Sequence, residues 1–445
     1  MSTGVNVGTA AVTRTIASQP RATAVESRAA MAQTDVVRFA GFMAQLGLLL
    51  AVFYLYDLEE QVFGILSLLI VSGFAIHYWL PFQWKETFYI GWSLLGAFIL
   101  LPPAAAALLI IAGLGLYGLV TSALPLAARF AIVAAVSAVL AYGRATLGFG
   151  IPVEFWPVFG SMFMFRFLIY LYEVAHANTK PGLRDFLTYF FVLPNYYFLL
   201  FPVVDYQTHR QTYFRRNINE VVQQGIVWIA RGTIQLLLYR LVYHWKGPSN
   251  APEAVTTFPA LMSTMVLTYL LYLRVSGQFH IIVGFLHLFG YDLPETHRRY
   301  LLARSLTDFW RRINIYWKDF MVKLVYFPVY FRLRRGGETR AQVVATIIVF
   351  VTTWFLHAYQ WFWLRGEFLM TWPDTLFWGI LGALVTLNLL VERSRPKRKV
   401  QPAWRKWVEP VQVAGTFCLI VTLWSLWNSP SLPEWVDLIT WWRLG

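Results

Sequence analysis

The chain has 445 residues, of which 58% are hydrophobic, 18% aromatic and only 13% charged, with a formal net charge of +14 and a pI near 9.8. Soluble domains carry about a quarter charged residues, so this composition excludes a water-soluble globular protein and implies an integral membrane protein. The basic residues lie mainly in loops beside apolar runs, which assigns the charge to membrane topology and anionic lipid and not to nucleic acid.

Residues 1–35 are rich in Ala, Ser and Thr and contain no continuous apolar core of the kind a cleaved signal peptide needs. A disordered tail is expected there, followed by one membrane-embedded domain over 36–445. Apolar runs then recur near 36–56, 62–80, 87–101, 104–120 and 126–142. Each approaches the ~20 residues that cross a hydrocarbon core of about 30 Å. His77, beside Trp79 and Pro81 at a run's end, reads as interfacial. The weak alternation of a membrane barrel is absent, so the expected class is all-α, a polytopic transmembrane helical bundle of about 11 spans with interfacial or re-entrant helices.

Farther on, Arg166 and Glu173 are spaced two helical turns apart and share a face, either in a polar interior or near the two interfaces. The following stretch, DFLTYFFVLPNYYFLLFPVVDY, is broken at Pro194 and Pro202. Broken backbone at membrane depth is tolerated where it is buried or lines a cavity, which makes this a candidate pocket wall. Spans near 222–243 and 257–273 come next. His280 and His287 then follow within one apolar run. Two histidines with no third ligand nearby do not make a metal site, so packing or cavity lining is expected and no metal. Cys418, the single cysteine, has no disulfide partner within the chain and reads as a structural thiol.

Charged and polar residues concentrate between Ser305 and Gln360. SLTDFWRRINIYWKDF leads through a basic, aromatic connector into AQVVATIIVFVTTWFLHAYQ, which carries His357. An ionisable residue in such a run is a functional candidate by default. The neighbouring Trp354, Tyr359, Trp361 and Trp363 admit the alternative of an interfacial histidine. Spans near 373–390 and 410–427 flank the basic loop 391–407, which the positive-inside rule places in the cytoplasm of a cell (inner) membrane. The His357 helix then starts at Ala341 on that same side, beside Arg332, Arg334, Arg335 and Arg340. His357 lies roughly 24 Å along it, away from the cytoplasmic mouth.

Several of these pieces, in this order, resemble the membrane-bound O-acyltransferase family. They are Ser276-Gly277, LFGYDLP at Leu288 to Pro294, FWRR at Phe309 to Arg312, and a lone histidine in the next hydrophobic helix. Weaker similarity covers FRFLIYLYEV and the proline-punctuated segment after it, so the resemblance spans about 160–360, roughly half of the chain. It is nearest to the bacterial subgroup that acylates cell-surface polysaccharides, such as alginate O-acetyltransferases and D-alanyl transfer proteins. The chain departs from that subgroup at Arg274 and His280, where acidic residues are usual, and at Ile313-Asn314, where Trp-His is common.

The resemblance implies a bundle enclosing a central tunnel or funnel, in which a cytoplasmic acyl thioester meets an acceptor from the other side. Acyl transfer to a hydroxyl needs a base, stabilisation of charge on the acyl oxygen, and exclusion of hydrolytic water. His357 is the expected base, since histidine changes protonation near neutral pH. Asn314 is expected to steady the thioester carbonyl or orient the acceptor. Arg311, Arg312 and Lys318 are expected either to snorkel from an amphipathic interfacial helix or to hold the phosphates of acyl-CoA, with acetyl-CoA the simplest co-substrate and no permanently bound cofactor. Expected partners are membrane lipid and an envelope glycan or other hydroxyl acceptor, with an extracytoplasmic partner or an acidic acyl or aminoacyl carrier protein as further candidates. The reading from another class is a transporter or export component with His357, Arg166 and Glu173 along a permeation path. Such proteins often carry internal repeats, and none is visible here.

Overall fold

A computed structural model describes residues 21–146, 148–176, 182–199, 204–247, 255–394 and 405–443. The first helices are α1 (Arg21–Met31), α2 (Val36–Leu55), α3 (Gln61–Trp79), α4 (Phe82–Leu100), α5 (Pro103–Thr121) and α6 (Leu126–Ala145). Pro81, Pro102 and Pro125 stand directly before α4, α5 and α6, where a missing N–H costs nothing. Next come α7 (Phe155–Pro157), a π-helical turn (Val158–Phe163), α8 (Met164–His176), α9 (Leu183–Phe190), α10 (Tyr206–Thr212) and α11 (Ile218–Lys246). The C-terminal part holds α12 (Phe258–Leu270), α13 (Leu273–Leu288), α14 (Leu306–Arg312), α15 (Ile315–Met321) and α16 (Phe327–Leu333). The chain ends with α17 (Glu338–Arg365), α18 (Trp372–Ser394), α19 (Arg405–Trp427) and α20 (Leu432–Ile439).

The protein is an all-α polytopic bundle with no strand among the described residues, and ten of its helical stretches are long and apolar enough to cross a membrane. α4 has the length of a span but opens with Gln83, Lys85, Glu86 and Thr87 and falls outside those ten. That accounts for the difference from the expected eleven. Side chains such as Ile347, Ile348, Val351 and Phe355 stay exposed along α17 while Val349, Phe350 and Thr353 are buried, the division expected of a helix with lipid on one side.

The tail expected to be disordered over 1–35 holds α1 in its second half, because RATAVESRAAM is dominated by strong helix formers. Residues 1–20 lie outside the described residues, as do Pro202 and the centre of the basic loop, 395–404. His77, in the last turn of α3, is fully buried, covered by the rings of Phe214 and Phe289. Beside it the buried Lys85 donates to the carbonyls of His77 and Tyr78 at 2.5 and 2.9 Å, satisfying the C-terminus of α3.

Contacts sort the helix ends onto two faces. α2 and α11 run parallel: Asn219 meets Gln33 and Tyr78 at one end, and Arg240 donates to the carbonyls of Tyr56 and Asp57 at the other. α13 returns antiparallel to α11 with Gly284 against Gly225 and Gly277 against Gly232, positions where a Cβ would collide with the opposing helix. α8 runs antiparallel to α17, since Trp156, just ahead of α8, stacks on Trp363 and Phe165 meets Tyr359, while Val349 belongs to the same cluster as Phe165. α18 opposes both α17 and α19 through Arg393–Glu338 (3.2 Å) and Trp427–Asp374 (2.7 Å). The starts of α2, α11, α17 and α19 therefore share one face, here the near face, and their ends share the far face.

Two segments enter from the near face and turn back. The first is α9 with the 3₁₀ turn Leu193–Tyr196, held by the buried Arg166, which donates to the Tyr189 carbonyl at 2.7 Å. Arg166 and Glu173 both belong to the polar interior; Glu173 pairs with Lys323, which also lies 3.5 Å from Asp205. The second is the α14–α15 hairpin. It leaves the near face where Arg304 meets Glu409 (2.7 Å) and Ser305 meets Glu392 (3.1 Å), and it returns through α16 to the start of α17.

Candidate functional site

The hairpin tip is built by local chemistry. Ser305 caps α14, accepting from the Asp308 N–H at 3.1 Å, and the Asp308 carboxylate takes the Arg312 Nε at 2.7 Å. The chain then reverses at Asn314, which adopts φ +39°, ψ +62°, a left-handed conformation that asparagine tolerates better than other residues with a Cβ. Its Oδ1 caps α15 by accepting from the Trp317 N–H at 3.3 Å. With the oxygen turned to the helix, the amide NH₂ is the group left for other work.

An adjoining strap, Pro294 to Arg298, satisfies the backbone around this tip. Ile315 N–H donates to Thr296 O at 2.8 Å, Arg298 N–H to Arg312 O at 2.9 Å, and Tyr316 Oη to Pro294 O at 2.7 Å. Without those partners the tip would leave bare amides at membrane depth, at a cost of several kcal/mol each.

His357 stands nineteen residues into α17, about 29 Å from its start at 1.5 Å per residue. Its ring lies among Trp317 (5.4 Å between centroids), Trp378 (4.7 Å) and Trp427 (6.0 Å). His357 Nδ1 is 2.8 Å from the Thr353 carbonyl. A carbonyl only accepts, so Nδ1 carries the hydrogen, and the neutral ring keeps its lone pair on Nε2. That tautomer is a base at Nε2.

His357, Asn314 and Lys318 line one cavity of about 420 Å³, of the size that small-molecule sites occupy. Trp310, Trp317, Trp378 and Trp427 make its walls mainly aromatic. Gln360 and Trp361 near the end of α17 and Asn428 after α19 extend it toward the far face. It is thus a largely apolar chamber with a base, an amide and an ammonium in its lining, suited to holding a polar reacting centre away from water.

Arg311 and Arg312 do not line this cavity. Arg311 is exposed on the outside of α14, and Arg312 is engaged by Asp308. Lys318 does line it, with Asp319 2.7 Å away. His280 and His287 are buried and packed between helices: His280 Nδ1 bonds Gln235 Oε1 at 2.7 Å and its ring stacks on Trp228, while His287 Nδ1 bonds the Val283 carbonyl at 2.7 Å. Among the described residues no group of three or more His, Cys, Asp or Glu side chains is placed to hold a metal ion.

Sequence reasoning missed the contribution of α13, α18 and α19. Tyr272, Trp378, Trp427 and Asn428 line the cavity, and Tyr272 Oη is hydrogen-bonded to the buried His297 Nε2 at 2.9 Å. The only available signal was the density of tryptophans in the last spans, which also fits an interfacial belt. No protein-family model matches the chain, and no curated protein matches it.

Proposed function

We propose that the chain is a membrane O-acyltransferase, transferring an acyl group, most simply acetyl, from an acyl-CoA thioester to a hydroxyl of a cell-envelope polysaccharide or related acceptor. The observation that carries this reading is the shared cavity of His357, its tautomer fixed by Thr353, and Asn314, presented at a capped left-handed turn. The order of motifs resembling the membrane-bound O-acyltransferase family supports it independently.

In this reading Nε2 of His357 takes the acceptor's hydroxyl proton as its oxygen attacks the thioester carbonyl. The Asn314 amide donates to the oxygen that gains charge. The C–S bond breaks, and the leaving thiolate takes the proton back from His357, so one ester and one free thiol form from one alcohol and one thioester. The aromatic walls keep water from competing as the nucleophile. Lys318 is the lining cation available to a donor phosphate or thioester. The near face, with Arg332, Arg334, Arg335 and Arg340 exposed or half-exposed around the start of α17, is the cytoplasmic one, and the acceptor approaches by the far-face end of the cavity.

The test is purified protein in lipid vesicles with radiolabelled acetyl-CoA, alongside mass spectrometry of envelope glycans from cells lacking the gene. Acetyl transfer or slow thioester hydrolysis that disappears in His357→Ala is the expected result. Absence of donor turnover together with movement of an unmodified substrate across the vesicle would replace this reading with transport.

A further inference from the structure

A second pocket lies on the near face, apart from the His357 cavity, and the transfer chemistry makes no use of it. It has a volume of about 330 Å³ between α1, α4, α9 and α10. Its lining carries charge of both signs: Arg28, Arg184 and Arg210 face Glu86 and Asp185. The two ion pairs across it are loose, 3.3 Å for Arg184–Glu86 and 3.5 Å for Arg210–Asp185. Charge-assisted bonds settle at about 2.7–2.9 Å, and elsewhere on this face Arg304–Glu409 closes to 2.7 Å. Arg184 also donates to Thr87 Oγ1 and Arg28 to the Arg210 carbonyl at 3.4 Å, which still leaves donors on all three guanidinium groups and lone pairs on both carboxylates.

The inner wall adds unused polar groups. Tyr213 Oη and His209 Nε2 have no hydrogen-bond partner among the described residues, although both residues are more than nine-tenths buried. Tyr206 Oη, on the same wall, is a third such atom; buried polar atoms are normally satisfied, so three unpaired in the lining of one pocket point to a ligand. The mouth opens beside exposed aromatic residues. Phe82 belongs to the lining, and Trp79 and Trp84, 44% and 56% exposed, flank it at the adjoining ends of α3 and α4, as aromatic residues do at a membrane interface.

We propose that this pocket binds a phosphoethanolamine group, with its phosphate on Arg28, Arg184 and Arg210, its primary ammonium between Glu86 and Asp185, and Tyr213 and His209 hydrogen-bonded to it from the inner wall. A zwitterion uses both sets of charges at once, whereas an anion would meet the carboxylates and a cation the guanidinium groups. The ammonium must donate hydrogen bonds, which excludes a trimethylated headgroup. The interfacial mouth favours a phospholipid as the source, its acyl chains leaving along α3 and α4; free phosphoethanolamine is the other source of the same chemistry.

The experiment is native mass spectrometry of the full-length protein in detergent, offered phosphatidylethanolamine, phosphatidylcholine or phosphatidylglycerol with identical chains, and separately soluble phosphoethanolamine without lipid. Selective retention of phosphatidylethanolamine supports the lipid source, and binding of soluble phosphoethanolamine supports the same site with a soluble source. Glu86→Gln/Asp185→Asn is expected to reduce that binding about tenfold, the scale of one lost charge-assisted bond. Tyr213→Phe, which preserves the ring, is expected to weaken it severalfold and carries the test alone if the double variant fails to fold. His357→Ala is expected to bind normally. Equal retention of all three lipids with no binding of soluble phosphoethanolamine, or binding unchanged in Tyr213→Phe, would overturn the proposal.

Discussion

The glycine contacts between α11 and α13 give a graded expectation that can be worked from distances. A Cβ on Gly232 would lie 2.5 Å from the Gly277 carbonyl oxygen and 2.7 Å from Ile281 Cγ1. Ordinary contact begins at 3.4 Å, so the shortfall at the oxygen is 3.4 − 2.5 = 0.9 Å, against backbone that cannot swing aside. On Gly284 the nearest atoms are the Gly225 oxygen and Ile229 Cγ1, both at 2.6 Å, while on Gly277 the nearest is at 2.9 Å. Overpacking of this kind costs about 1–3 kcal/mol, and the helix propensity gained on Gly→Ala offsets up to about 1 kcal/mol of it. Gly115 in α5 has nothing within 4 Å of a built Cβ, so Gly115→Ala is expected to be neutral or slightly stabilising. The expected order of thermal stability in detergent, read by size-exclusion recovery after heating, is Gly115→Ala at or above wild type, Gly277→Ala lower, and Gly232→Ala and Gly284→Ala lowest. Because α13 carries Val275 and Phe279 on the cavity wall, with Tyr272 directly before it, the two severe variants should also lose the proposed acyl transfer out of proportion to their yield. Gly232→Ala as stable as Gly115→Ala would refute the close-packed seam.

His357→Ala is expected to lower the proposed acetyl transfer by about 10²–10⁴, the usual contribution of a general base, with little change in thermal stability, since the ring's hydrogen bond is to its own helix. Asn314→Gly removes both the amide and its cap but fits the left-handed turn, so turnover should fall in a protein that loses only a few tenths of a kcal/mol; Asn314→Ala in addition places a Cβ at positive φ and should lose about 1 kcal/mol of stability or more, measured by chemical denaturation. Burial works against the charge on Asp292, but hydrogen bonds from Arg216 and Arg215 outweigh it and hold its carboxyl below the ordinary value. A lowered folded-state value stabilises fully above the unfolded carboxylate range and fades as pH falls through the folded value. The melting difference between wild type and Asp292→Asn should therefore be full at pH 7 and narrow below about pH 4.

What the sequence made legible follows from which signals are local. Long apolar runs identified the helical bundle because spanning length and backbone satisfaction leave few alternatives. His357 stood out because an imidazole in such a run is conspicuous. Arg311 and Arg312 read as one basic cluster only because they are adjacent in sequence; successive helical residues diverge by about 100°, and Asp308 one turn earlier claims Arg312. Asn314 was legible as an amide near the site but not as a left-handed tip, since nothing periodic marks a reversal between two seven-residue helices. Trp378 and Trp427 come from spans distant in sequence, and only tertiary packing reveals that they face His357. His77 was legible as a helix-end residue from the nearby proline, but its cover of Phe214 and Phe289 comes from segments distant in sequence.

The re-entrant hairpin resolves a geometric difficulty in placing an amide and an imidazole together at this depth. His357 is about 29 Å from the near face, yet the chain bearing Asn314 begins and ends at that face. A continuous spanning helix would engage its own backbone groups throughout, and a side-chain cap of the kind Asn314 makes would have no place within it. A hairpin tip does the opposite, exposing N–H and C=O groups that must find partners within the protein. Thr296 and Pro294 supply acceptors and Arg298 a donor, so the strap that starts at the last residue of LFGYDLP acts on the site through the backbone without placing a side chain in the cavity. The order of segments in the sequence thus has a mechanical basis: the strap fixes the tip, the tip fixes Asn314, and α17 brings His357 to the same chamber.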